Sequence, residues 1–301
     1  MAPPKPPSNS RTLPPRREAV APAKLNLTLR ITGKRADGYH LLDSVVVFTR
    51  DGDRLSVEAA DALSLNVSGP FAEPLGDVQS NLVWKAASLL QSRYAAGLGA
   101  RIHLEKRLPI ASGMGGGSSD AATCVRLLES LWGIAWDEAE RTAFLLGLGA
   151  DLPVCYHQHP VRMQGIGEQL TPLSIPSGLP ILLVNPGVML ATAEVFRAYA
   201  ADTPPFSAPL NLPDDMDSAE AVAKLLREGG NDLTRAAITR VPEVAAVLQA
   251  IGQEEASLAA GMSGSGATCI GIFANCAAAQ RAATRLRAQH PNWWVLATQT
   301  G

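Results

Sequence analysis

Four of the five residues from 113 to 117 are glycine, within the run Leu108-Pro-Ile-Ala-Ser-Gly-Met-Gly-Gly-Gly-Ser-Ser-Asp120. The alternating Ile102-His103-Leu104 before it predicts a strand. The stretch Ala121 to Trp132 after it predicts a helix with Ala121, Val125, Leu128 and Trp132 on one face. Glycines at a helix start leave backbone N–H groups unshielded. Those donors and the positive end of the helix dipole suit a phosphate. Ser118 and Ser119 can cap the helix or give their hydroxyls to phosphate oxygens. The chemistry read here is the holding of a polyphosphate. No lysine follows the glycines, as a Walker A loop requires, and position 118 is serine where a Rossmann fingerprint needs glycine. The rival reading is a plain flexible connector. It is disfavoured because glycine loses the most conformational freedom on folding.

Two charged residues stand in apolar settings. Lys24 lies in Ala21-Pro-Ala-Lys-Leu-Asn-Leu27, and a lysine reaching a cleft can steady a phosphate or an attacking hydroxyl. Asn26 has the same strand parity and so shares its face. Asp151, between Gly149-Ala150 and Leu152-Pro153, can accept a hydroxyl proton in phosphoryl transfer, though a turn or capping role is the commoner use of such an aspartate. Asp37-Gly-Tyr-His40 offers an aromatic ring for stacking and an imidazole for a base edge; taken alone it reads as a surface loop with Tyr39 tucked onto the core. His157 and His159 would share a strand face, but no third ligand stands near them, which argues against a metal site. Gly261-Met-Ser-Gly-Ser-Gly266 is either a tight turn or bare backbone brought close to a substrate.

The elements that must position these groups follow from periodicity. Leu25, Leu27 and Leu29 alternate as a strand with one buried face, and Val45 to Phe48 form a buried strand. Further strands are expected over 54–59, 63–67, 181–184, 268–273 and 293–298. Helices are expected over 81–90, 136–146, 191–199, 218–228, 242–251 and 277–289, with a loop at 150–153 and a proline-rich loop over 203–213. The mixture suggests two α+β domains, 18–172 and 173–301. Residues 1–17, with six prolines and no acid, are expected to form a disordered tail.

The 301 residues are 47% hydrophobic and 18% charged, the composition of a globular protein with a sizeable core. A net charge of −2 supplies no field for nucleic acid or an anionic membrane, so an anionic substrate needs locally placed cations. No apolar run reaches the length of a membrane span. The four cysteines form no CxxC pair, and three sit in apolar runs as small hydrophobes, as a reducing, cytoplasmic setting allows. No protein partner is evident.

Three segments together resemble the motifs of the GHMP kinases: Pro22-Ala-Lys-Leu-Asn-Leu27, Pro109-Ile-Ala-Ser-Gly-Met-Gly-Gly-Gly-Ser-Ser119 and Gly261-Met-Ser-Gly-Ser-Gly-Ala267. Ile31-Thr-Gly-Lys-Arg-Ala-Asp-Gly-Tyr-His40 and Leu148-Gly-Ala-Asp-Leu-Pro153 resemble the branch of that superfamily acting on a cytidine-diphosphate-bearing methylerythritol. The resemblance implies an α+β, two-domain fold: an N-terminal ATP-binding α/β domain, a C-terminal ferredoxin-like domain and an active site in the cleft between them. It implies ATP-dependent phosphorylation of the substrate's 2-hydroxyl in the non-mevalonate route to isoprenoid precursors, with magnesium accompanying ATP. Asp151 would be the catalytic base and Lys24 its cationic partner. ATP would be held by Pro109, Ile110, Ala111, Ser112, Gly113, Met114, Gly115, Gly116, Gly117, Ser118 and Ser119, with Asn81 and Lys106 near the adenosine. The substrate would meet Asn26, Tyr39, His40, Thr192 and Phe196, Tyr39 by stacking and His40 by hydrogen bonds. Two positions depart from the pattern. Asp120 stands where some members carry asparagine, and would repel phosphate unless it points away or faces magnesium. Val46 stands where some carry phenylalanine, which would loosen that wall of the pocket.

Overall fold

A computed structural model describes residues 16–73, 77–202, 204–213 and 215–301. Residues 1–15 of the expected tail, and Thr203 at the start of the expected proline-rich loop, lie outside the described residues. The first sheet is organised by one long strand, β3 (His40–Ala60), into which the runs expected at 45–48 and 54–59 merge. Its first half pairs with β2 (Arg30–Lys34) and β6 (Val161–Gly165), its second half with β5 (Gly99–Glu105), and β1 (Arg17–Asn26) lies antiparallel along both. β4 (Ser64–Ser68) and β7 (Gln169–Pro172) form the edges. Only the β4–β5 pair is parallel, in keeping with the expected α+β class.

Helices α1 (Leu82–Tyr94), α2 (Gly116–Trp132), α3 (Glu138–Leu148) and α4 (Leu152–His157) accompany this sheet. Val125 and Leu128 of α2 pack with Val83 and Leu90 of α1 against Leu55 and Ile102 of the sheet. α4 takes in Leu152 and Pro153, which were expected to be loop. His157 therefore ends a helix instead of sharing a strand face with His159, and its imidazole approaches Glu138.

The second sheet has the order β11 (Trp294–Gln299), β8 (Pro180–Asn185), β10 (Cys269–Phe273), β9 (Ser257–Met262), antiparallel throughout. With α9 (Cys276–Gln289) between β10 and β11, this is a ferredoxin-like arrangement. The crossover from β8 to β9 carries α5 (Thr192–Ala201), α6 (Ala219–Gly229), α7 (Thr234–Arg240) and α8 (Glu243–Gly252). α7 was not expected from the sequence; seven residues show too little periodicity. One face of this sheet packs under α8 and α9. The other meets Leu25, Leu27, Val45 and Val47 of the first sheet and Val222 and Leu226 of α6 in one buried cluster. Leu25, Leu27 and Leu29 are buried as expected, but β1 ends at Asn26 with its inner part buried on both faces, and Leu27 and Leu29 lie in the link to β2 rather than on one continuous strand.

Candidate active site

A β-bulge puts the first charged residue in place. The register of β1 against β3 shifts between Pro22 and Lys24, which frees backbone groups that each find a partner. The Pro22 carbonyl accepts the Ser119 hydroxyl at 2.7 Å, Ala23 N donates to Thr49 Oγ1 at 2.9 Å, and Lys24 N donates to the Met114 carbonyl at 2.9 Å. The bulge is thereby fastened to the glycine loop, and Lys24 faces a cleft of about 1100 Å³ lined from both halves of the chain. Asn26 follows on the same face; its Nδ2 donates to Ser44 Oγ at 2.7 Å.

Asp151 stands at the position before the first turn of α4, where an aspartate ordinarily caps the helix. It makes no capping bond. Its carboxylate instead reaches Lys24 Nζ at 2.9 Å, with the lysine side chain buried and the aspartate 37% exposed to the cleft. Burial alone would push the lysine down, but the Asp151 carboxylate outweighs it, and Lys24 is held above its ordinary range as an ammonium.

The glycine loop borders this pair. α2 begins at Gly116, inside the glycine run, so Ser118 and Ser119 fall in its first turn and neither caps it. Gly115 takes the cap position with φ of +60°, and a Cβ there would lie 3.2 Å from Lys24 Cβ. At Gly113 a Cβ would strike the Ser263 carbonyl at 2.4 Å. Those two glycines are demanded by the fold. Gly117 is not: a side chain there would meet nothing within 4 Å. Its bareness, beside the unpaired first-turn N–H groups of a helix, leaves room for a ligand to reach backbone.

Two residues expected at the phosphates are elsewhere. Met114 is fully buried in the cluster between the sheets, and Ser119 is fully buried with its hydroxyl committed to Pro22. Pro109, Ile110, Ala111, Ser112, Gly113 and Gly115 to Ser118 line the cleft. Asn81 also lines it, although its Oδ1 caps α1 through Val83 N at 2.9 Å. Lys106, expected near adenosine, has its ammonium beneath Gly116, bonded to Asp53 and, at 2.7 Å, to Asp120. Val46 packs with Ala122 and Cys155, so it forms no wall of the cleft.

The second glycine cluster is the turn between β9 and β10, and it locks against the first. Ser263 Oγ donates to the Gly113 carbonyl at 2.9 Å and accepts from Asn26 N at 3.1 Å. Gly264 and Ser265 reach the cleft, Ser265 pairing with Thr192 at 2.9 Å between hydroxyls. At the far end, His40 stacks on Phe196 with ring centroids 5.2 Å apart. Burial and Lys34 lower the His40 pKa, which favours the neutral ring, a donor at one nitrogen and an acceptor at the other. Tyr39 is 62% exposed at the mouth rather than tucked onto the core. Sequence reading missed Leu29, Met163, Ile166 and Leu233 in the wall; nothing distinguishes an apolar wall residue from a core residue in one dimension.

The family model for the GHMP kinases N terminal domain matches residues 81–159, and that for the GHMP kinases C terminal matches residues 215–292. A curated 4-diphosphocytidyl-2-C-methyl-D-erythritol kinase of Cereibacter sphaeroides is 51% identical over 282 residues, 92% of this chain and 97% of its own. A crystal structure of 4-(cytidine 5'-diphospho)-2C-methyl-D-erythritol kinase aligns with a TM-score of 0.76 at 33% identity, covering 95% of this chain and all of that one. The L. major mevalonate kinase in complex with R-mevalonate aligns with a TM-score of 0.69 at 15% identity, covering 94% and 95%, a likeness of fold alone.

Proposed function

The chain belongs to the GHMP kinases, and on that footing we propose that it transfers the γ-phosphoryl group of ATP to the 2-hydroxyl of 4-diphosphocytidyl-2-C-methyl-D-erythritol, yielding the 2-phosphate and ADP in the non-mevalonate route to isoprenoid precursors. The observation that carries the reading is the Lys24–Asp151 pair, 2.9 Å apart, in a cleft bordered by a bare helix start. Phosphoryl transfer asks a protein for alignment and charge stabilisation more than for covalent chemistry. The backbone from Pro109 to Ser118 cradles the phosphates. Asp151 takes the proton of the attacking hydroxyl as the oxygen–phosphorus bond forms and the bond to ADP breaks. Lys24 holds Asp151 and offsets charge on the transferring group. Asn26 holds the methylerythritol, while Tyr39, His40, Thr192 and Phe196 form the cytidine end. Stacking of the base there contributes about 1–3 kcal/mol, binding energy remote from the reacting hydroxyl.

Among the described residues no group of three or more His, Cys, Asp or Glu side chains gathers to hold a metal. Magnesium in kinase sites rides largely on substrate phosphates and water, so the cleft suits a cation delivered with ATP, which would screen phosphate charge. No helix among the described residues is long and apolar enough to cross a membrane, and the buried free thiols of Cys124, Cys155 and Cys269 support a cytoplasmic setting.

Coupled ADP release tests the assignment. Turnover is expected with the cytidyl compound and not with homoserine or mevalonate. Turnover on either of those in its place overturns the substrate; ATP binding without turnover on any alcohol points to a nucleotide sensor.

A further inference from the structure

Beneath the glycine loop, two acids share one ammonium. Lys106 donates to Asp53 of β3 and to Asp120 of α2, with all three side chains almost wholly buried. Fully ionised, the three would leave a net negative charge directly under the cradle that is to hold a polyphosphate, at a position where bulk water cannot screen it. One further proton makes the cluster neutral.

The hydrogen bonds say which acid carries it. Asp53 accepts from three donors, the Lys106 ammonium and the backbone N–H groups of Arg107 and Leu108, a pattern that an ionised carboxylate satisfies. Asp120 accepts only from Lys106, through Oδ2; its Oδ1 is buried without a partner. Asp120 is 2% exposed, and the surface it shows lies in the cleft wall. We propose that Asp120 underlies the nucleotide site as a neutral acid, which leaves no uncompensated negative charge beneath the phosphate cradle, so that ATP binds tightly only while Asp120 keeps its proton. The proposal rests on the reading of the cleft as an ATP site.

Burial, with the neighbouring Asp53, pushes the Asp120 carboxyl up to about 8 against the pull of Lys106. Lys106 itself stays an ammonium, because the two acids outweigh the effect of its burial. The other ionisable groups facing Asp120 are the thiols of Cys124, one turn along α2, and Cys155 on α4, both pushed up by burial and so neutral.

The test is equilibrium binding of a non-hydrolysable ATP analogue at pH 7 to 9, on the native protein, Asp120→Asn and Asp120→Ala. The native protein is expected to lose about tenfold in affinity by pH 9, as the neutral fraction falls to roughly one in ten. Asp120→Asn, a neutral isostere, should bind as the native protein does at pH 7 and show no slope; Asp120→Ala, which also removes the titrating carboxyl, should show no slope either. A flat native profile, a slope retained in Asp120→Asn, or affinity that rises with pH and is lost in Asp120→Asn, as a magnesium-ligating carboxylate would give, overturns the proposal. If no analogue binds the native protein at pH 7, the ATP reading fails instead.

Stability supplies a second readout independent of nucleotide. An acid whose folded pKa is raised contributes stability that is complete below about pH 4 and is lost as pH rises toward 8. The melting temperature of Asp120→Asn should therefore match the native protein near pH 4 and exceed it at pH 8. An equal offset at both pH values overturns the protonation claim.

Discussion

Asp151 gives up a helix cap, and that exchange identifies it more sharply than its sequence setting does. An aspartate before a helix gains stability by accepting a first-turn N–H; this one turns to Lys24 across the cleft. Replacing Asp151 with asparagine keeps the shape and removes the proposed proton acceptor. The expected result is a fall in kcat of about 10²–10⁴-fold with ATP binding retained, read by steady-state kinetics beside equilibrium titration. Near-native kcat in that variant would remove Asp151 from the chemistry. Tyr39 makes the complementary case at the other end. A ring 62% exposed gains nothing for the fold, so Tyr39→Ala should raise the KM for the cytidyl substrate well above any change for ATP. Equal shifts in the two constants would count against base stacking.

The glycine loop and its helix carry a division of labour within one motif. Gly113 and Gly115 are required by neighbouring atoms and a left-handed backbone, whereas Gly117 faces open space. Ser118 lines the cleft, while Ser119 pins the bulge in β1 that aims Lys24. Ser119→Ala leaves the Pro22 carbonyl buried without its donor. A loss of about 1–3 kcal/mol is expected in denaturant unfolding, with ATP affinity changed less than twofold. Should affinity fall tenfold with stability unmoved, the hydroxyl belongs to the phosphate site after all. Adjacent serines of identical type carry no mark in sequence of which one the helix turns inward; the α-helical rotation of about 100° between them decides it.

The two halves of the molecule are joined more closely than a simple division at residue 173 suggests. The first sheet ends at Pro172 and the second begins at Pro180, yet Leu25 and Val45 of one sheet pack in the same buried cluster as Ile181 and Ile270 of the other. The two glycine clusters also interlock through Ser263. We therefore propose two structural halves that unfold together. Calorimetry should record a single transition whose calorimetric and van't Hoff enthalpies agree, and two resolved transitions would show independent domains.

Periodicity and turn chemistry were enough to establish a strand, a bare loop and a helix in that order, and the glycines were enough to suggest a phosphate site, while the proton-acceptor role of Asp151 came only with the family resemblance. Those are local properties, written in the spacing of apolar residues and in what glycine alone permits. The tertiary structure decided everything that depends on who meets whom across as many as 127 positions of chain: that Lys24 touches Asp151, that Ser119 faces inward, and that Asp53, Lys106 and Asp120 share one buried charge balance. The physical reason is that hydrogen-bond partners and buried charges are chosen by packing between elements distant in sequence, and no local pattern encodes that choice.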